Sequence, residues 1–277
     1  MNQVTDQQII EILRKEAVPA LGCTEPVACA LACAKCKEVL GDVPEHLDVL
    51  VSGNIYKNGM GVGIPGTGMV GLPIAAALGA VCGKSEYGLE VLKEVNVGDN
   101  LQRAKDMLGQ VKVSLKEDAP DKLYAEALAT KGNDTVKVII VHTHTNIVLV
   151  EKNGKEIFKR EFRLDTSKPE DKGPELSVKR IWDFVHQVDV KDIEFVLQGA
   201  EMNKAISAEG LKSEYGLQIG KTLKENIDKG LLEDDLLNRT LIRATAASDA
   251  RMDGCPKPVM TNSGSGNQGI TVYLPVV

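Results

Sequence analysis

Aromatic side chains are scarce in this chain, at 4% of 277 residues with a single tryptophan. No apolar run approaches the roughly 18 residues that a membrane-crossing helix needs. Positive charge is not in excess. The formal net charge is −6, which argues against nucleic acid or an anionic membrane as the main partner. Cysteine is sparse too: six residues are too few for a scaffold held by disulfides. The opening MNQVTDQQIIEILRKE is charged and amphipathic, without the basic head and apolar core of a signal peptide. These absences point to a cytoplasmic protein whose thiols stay reduced.

What is present suits a globular protein with a substantial core, at 43% hydrophobic and 26% charged residues. Thr5 is placed to cap a first helix, which Pro19 ends. A second helix is expected from Thr24 to Leu40, with Pro26 in its first turn and Gly41 just beyond its end. HLDVLVSGNIYKNG reads as a strand leading into a turn, and MGVGIPGTGMVGLPIAAALGAVCG as a tight loop feeding a buried helix. From Glu86 the composition shifts to alternating strands joined by Gly-Asn-Asp and Lys-Asn-Gly turns, which are hairpin signals. LDTSKPEDKGPE reads as a polar linker, after which helical periodicity returns. The expected fold class is α+β. A mostly helical core formed by residues 1–85 and 166–277 carries an inserted α/β module of antiparallel strands at 86–165.

Several motifs lose their chemical meaning on inspection. Cys29, Cys33 and Cys36 have the C-x3-C-x2-C spacing of radical S-adenosylmethionine enzymes. Here they form an i, i+4, i+7 stripe padded with alanine, which reads as core packing. Gly61, Gly63 and Gly66 match G-x-G-x-x-G, but Pro65 removes an N–H that a phosphate would use. His142 and His144 fall on one face of an expected strand. With no third ligand in view they read as a solvated face.

Two places keep their interest. Cys23 lies between Pro19 and Pro26 at a helix start, where unpaired N–H groups favour thiolate; it suits a nucleophile or a metal ligand. SGSGNQG brings the donors Ser263, Ser265, Asn267 and Gln268 before a helix, a setting for a small carboxylate or phosphate. SGNIYKNG is expected to be a second loop of this kind, with Lys57 as a cation or base.

ALGCTEP, SGNIYKNGMGVGIPGTG, HTHTNI, ATAASDARM and MTNSGSGNQGI together resemble, in order and wording, the bacterial and archaeal L-cysteine desulfidases. That family is related to the iron–sulfur L-serine dehydratase alpha chain. The resemblance implies a lyase independent of pyridoxal phosphate, with an oxygen-sensitive [4Fe-4S] cluster, converting L-cysteine and water to pyruvate, ammonia and sulfide. It makes Cys23 the first cluster ligand. It also implies that the GSGNQG loop, with Asn54 and Asn58, orients the amino acid while Lys57 or Glu25 takes the Cα proton. The family's other two ligands lie beyond that loop, one in a CDGAK-like motif, and the chain reaches Val277 without them. These residues are therefore expected to be an incomplete portion, inactive alone and holding at most an incomplete cluster. A complementary C-terminal segment or second chain would then be a partner, and a homo-oligomer is compatible with the same reading. L-serine as the substrate, or an amino-acid-binding protein without catalysis, are the alternatives.

Overall fold

Thr5 caps α1 (Asp6–Glu16) as expected. Its hydroxyl accepts from the Gln8 N–H, and the Gln8 side chain accepts from the Thr5 N–H. The structure, a computed structural model, describes residues 4–161 and 176–277. The expected linker at 164–175, and the domain boundary within it, lie outside the described residues. After β1 (Pro19–Ala20), α2 runs over Thr24–Leu40 and ends on Gly41 in the left-handed conformation.

β2 (His46–Val51) leads into α3 (Gly53–Gly59), where a loop was expected. A helical turn explains the difference. It buries Ile55 at 1% exposure while Asn54, Lys57 and Asn58 stay on the outside. The glycine-rich stretch forms the small hairpin β3 (Gly63–Ile64) and β4 (Met69–Val70), followed by α4 (Leu72–Val81), which is buried almost throughout.

The strands beyond Glu86 form as their alternation predicts. α5 (Asn100–Asp106) precedes β5 (Val111–Leu115), β6 (Tyr124–Lys131), β7 (Asp134–Val141), β8 (Ile147–Lys152) and β9 (Lys155–Lys159). The turn between β8 and β9 holds Asn153 and Gly154, both at positive φ, as a tight primed turn requires. The sheet order is β5-β2-β6-β7-β8-β9, with β2 parallel to β5 and antiparallel to β6. The sheet therefore crosses the boundary expected at residue 86, because β2 comes from the first segment and lies inside it. Only pairing across some 60 residues reveals this, and no local pattern encodes it.

One face of the sheet is covered. Leu47, Val49, Val51, Ala125, Ala127, Ala129, Val136, Val138 and Ile140 point inward, while Asp48, Lys137 and Glu151 lie on the other face. α2 lies over the buried face and α4 packs against α2. Cys29, Cys33 and Cys36 are fully buried there, as a core stripe. The Cys36 thiol donates to the Ala127 carbonyl at 3.5 Å, and burial pushes the Cys29 pKa up to about 12.

The remaining elements are α6 (Val178–Gln187), α7 (Val190–Ile193), α8 (Val196–Lys212), α9 (Ile219–Asp228), α10 (Leu236–Met252), β10 (Val259–Met260) and α11 (Gly266–Tyr273). α8, α10 and α11 enclose Ile206, Ala247, Ala250, Cys255, Ile270 and Leu274. Near the end of the chain Ile270 and Leu274 are buried, whereas Val272 and Val276 are exposed. β10 pairs antiparallel with β1, which joins this helical part to the start of α2. The fold is α+β. No helix among the described residues is long and apolar enough to cross a membrane.

Small residues set the spacing between α2 and α4. A Cβ built on Gly79 would fall 2.1 Å from the Ala30 carbonyl oxygen, a backbone atom that cannot yield alone. Gly79→Ala should therefore lower stability by about 1–3 kcal/mol despite alanine's better helix propensity. A urea midpoint equal to or above that of the unsubstituted protein would refute it.

Candidate functional site

Cys23 is the N-cap residue of α2 and is only 6% exposed. The preceding Gly22, at φ +79, leaves no room for a side chain, since a Cβ would lie 2.7 Å from Pro65. Pro65 of the G-x-G-x-x-G stretch thus packs against the Cys23 turn. The pairing of β1 with β10 carries this turn to the far end of the chain. There Thr261 accepts from the Val18 N–H through its hydroxyl and donates its own N–H to the Val18 carbonyl at 2.9 Å.

Cys23 Sγ lies 3.3 Å from Met252 Sδ, and Asn267 Nδ2 lies 3.7 Å from the same sulfur. Glu25, in the first turn of α2, accepts from Asn58 Nδ2 at 3.1 Å and from the Thr24 hydroxyl at 3.3 Å. The structure thus gathers Cys23, Glu25, Asn58 and Asn267. Asn54 and Lys57 are exposed on α3 close by in sequence. Ser265 spends its hydroxyl on capping α11, accepting from the Gln268 N–H at 3.4 Å. Ser263 donates to Asn262 Oδ1 at 2.7 Å, and Gln268 is exposed.

The thiol of Cys23 behaves differently from expectation. Its pKa is raised: burial is the largest cause, Arg251 pulls it down, and Glu25 pushes it up. The helix start does not outweigh desolvation. A bound metal ion would reverse this by taking the thiolate directly.

The sequence reading passes over Arg251 and treats His144 as part of a solvated face. Arg251, at the end of α10, is buried at 4% exposure beside Cys23. His144 is half-buried and feels both Glu25 and Arg251. It does not share a strand face with His142, because β7 ends at Val141 and His142 turns the backbone at φ 67. His142 instead pairs with Asp121. ATAASDARM and HTHTNI contain both residues, but nothing in their spacing shows where they fold.

A surface groove lined by Arg14, Phe195, Leu197, Met202 and Pro258 contains none of the expected site residues. No three His, Cys, Asp or Glu residues among those described converge to hold a metal ion. A [4Fe-4S] cluster uses thiolates from three or four cysteines, whereas the described residues bring Cys23 alone to the site. Cys29, Cys33, Cys36 and Cys82 are sealed in the sheet core and Cys255 in the helical core. This donor set does not by itself fit such a cluster.

The sequence pattern of the serine dehydratase alpha chain family matches residues 86–277. That span includes Arg251 and the 263–269 loop but not Cys23 or Glu25. The chain is 48% identical to a UPF0597 protein of Dichelobacter nodosus, over 99% of this chain and 64% of the relative. It is 47% identical to one of Actinobacillus pleuropneumoniae, over 98% and 63%. It is 46% identical to one of Parabacteroides distasonis, over 100% and 65%. The chain thus spans just under two thirds of the length of these relatives. No solved structure matches it.

Burial is the largest influence on His144 and lowers its pKa; Glu25 opposes this and Arg251 adds to it. The unfolded chain, with a histidine pKa of about 6.5, then binds the proton first. Stability is complete above that value and falls as pH drops toward the folded pKa. His144→Asn should lose less stability than the unsubstituted protein between about pH 7 and pH 5. Urea melts giving the same acid dependence in both would refute it.

Proposed function

The chain belongs to the serine dehydratase alpha chain family, and from that premise we propose that it carries the amino-acid site of a lyase that eliminates sulfide from L-cysteine. Pyridoxal phosphate takes no part, and the products are pyruvate, ammonia and hydrogen sulfide. The observation that carries the reading is the meeting of the Cys23 turn with the Asn267 loop at the Met252 sulfur. A cysteine and two helix starts then meet around one sulfur. The cytoplasmic location and the [4Fe-4S] cluster, with Cys23 as one ligand, belong to the same proposal, and a cluster would require further cysteines.

The chain's own groups have separable tasks. Asn54 and Asn58 on α3, with Ser263, Ser265, Asn267 and Gln268 of SGSGNQG, orient the amino acid so that its Cα–H faces a base. Lys57 and Glu25 are the base candidates. Glu25 lies in the gathered site, held by Asn58. Removal of the Cα proton sends its electron pair into a Cα–Cβ double bond, and the Cβ–S bond breaks with departure of hydrosulfide. The resulting 2-aminoacrylate takes a proton at Cβ to become an imine, and water hydrolyses this to pyruvate and ammonia. A hydroxyl leaving group in place of the thiol gives the serine dehydratase reaction, the reading favoured by the family's description.

The test uses full-length protein purified without oxygen. Cys23→Ser should abolish sulfide release from L-cysteine and pyruvate release from L-serine, while Cys29→Ser retains most of both. Sulfide release by Cys23→Ser would overturn the role of Cys23. Asn267→Ala should raise KM or lower turnover by about 10- to 150-fold, the loss of one hydrogen bond to a charged group. The ratio of kcat/KM on the two amino acids assigns the substrate. Binding of an amino acid with neither product, and with no iron or acid-labile sulfide in the protein, would mark a binding protein instead.

A further inference from the structure

Arginine is almost never buried without a partner, because the charge loses its hydration. Arg251 is 4% exposed, yet the acceptors it meets are neutral. Nη2 donates to the Gly22 carbonyl at 2.9 Å and Nη1 to Asn267 Oδ1 at 2.9 Å. Nε is buried with no hydrogen-bond partner at all. No carboxylate among the described residues forms an ion pair with it. Glu25, whose charge also reaches Cys23, is engaged by Asn58 and Thr24 instead.

The surroundings are shaped to keep the guanidinium in place. A Cβ on Gly266 would fall 2.5 Å from Nε and 2.7 Å from Cζ, so this glycine of SGSGNQG lets the loop close over the arginine. One side chain thereby bridges the residue before Cys23 and the residue after Gly266. Its positive charge is left for something else to balance.

We infer that Arg251 is the positioning residue that gives this site its preference for a carboxylate. It fixes the Cys23 turn against Asn267, and its unbalanced charge selects an anionic head group. The inference rests on the reading of this site as an amino-acid site and names the part of the substrate that this charge recognises. Arg251 acts through Asn267, the Gly22 carbonyl and the local field, so it need not touch the ligand. In a poorly solvated site, loss of one charge interaction of this kind weakens binding about 10- to 150-fold.

Equilibrium binding to the full-length protein without oxygen tests this, using L-cysteine, 3-mercaptopropionate and cysteamine. The second probe keeps the carboxylate without the amine, and the third keeps the amine without the carboxylate. Both L-cysteine and 3-mercaptopropionate should bind at least about 10-fold more tightly than cysteamine. Arg251→Gln should remove most of that preference by weakening the two carboxylates, with cysteamine little changed. Arg251→Lys, which keeps the charge without the fork, should restore part of it. A structural role alone would weaken all three probes equally, and that result overturns the inference. Equal binding of all three to the unsubstituted protein overturns it even if Arg251→Gln fails to fold. Product release from L-cysteine or L-serine with the preference unaffected by Arg251→Gln would sink this inference alone. If no amino acid binds, the functional reading falls with it.

Discussion

The two-residue pairing of β1 with β10 is the contact on which the site depends. Pro19 faces Met260 and Ala20 faces Val259, joining segments some 240 residues apart. Two strands of this length are not stable by themselves. Side chains complete the ladder on both flanks. Thr261 bonds Val18 on one side, and its hydroxyl also reaches the Glu16 carbonyl at 3.0 Å. On the other side the fully buried Asn203 accepts from the Met260 N–H at 2.9 Å and donates to its carbonyl at 3.3 Å, standing in for a third strand. Each of these groups would be costly to bury unpaired. The pairing is therefore held from both sides, and Cys23 and Asn267 are held with it.

Electrostatics within the site follow from that closure. Cys23 and Arg251 are buried, Glu25 and His144 are half-buried, and the charges of Glu25 and Arg251 both reach Cys23 and His144. The carboxylate of Glu25 accepts from Asn58, while the guanidinium of Arg251 donates to two neutral oxygens and keeps Nε without a partner. Direct pairing of the two would neutralise both charges. In the amino-acid reading proposed above, their separation leaves unlike charges for a zwitterionic ligand.

The shortage of aromatic residues has its counterpart in the packing. Alanine, glycine and cysteine line the contact between α2, α4 and the sheet, so the layers approach closely and dispersion contacts are gained through proximity rather than through large side chains. Such a core tolerates little added volume. The same device recurs at the site, where Gly22 meets Pro65 and Gly266 meets Arg251.

The sequence by itself determined the features that depend on neighbouring residues. The capping of α1 by Thr5, the span of α2 up to Gly41, the burial of the cysteine stripe and the Asn153-Gly154 turn all rest on interactions within a few positions. The helix start at Ser265 is of the same kind. Those patterns are periodic or local, so they can be read directly. Tertiary structure decided what spacing cannot encode: the place of β2 inside the sheet, the helical form of α3, the position of His144 and the burial of Arg251. Arg251 shows the reason most clearly. An arginine near a helix end looks like an ordinary solvated charge, and only contacts with Gly22, 229 residues away, and with Asn267 turn it into a buried cation. Desolvation depends on what the rest of the chain places around a group, and it overrides the local rule that a helix start lowers a thiol pKa at Cys23.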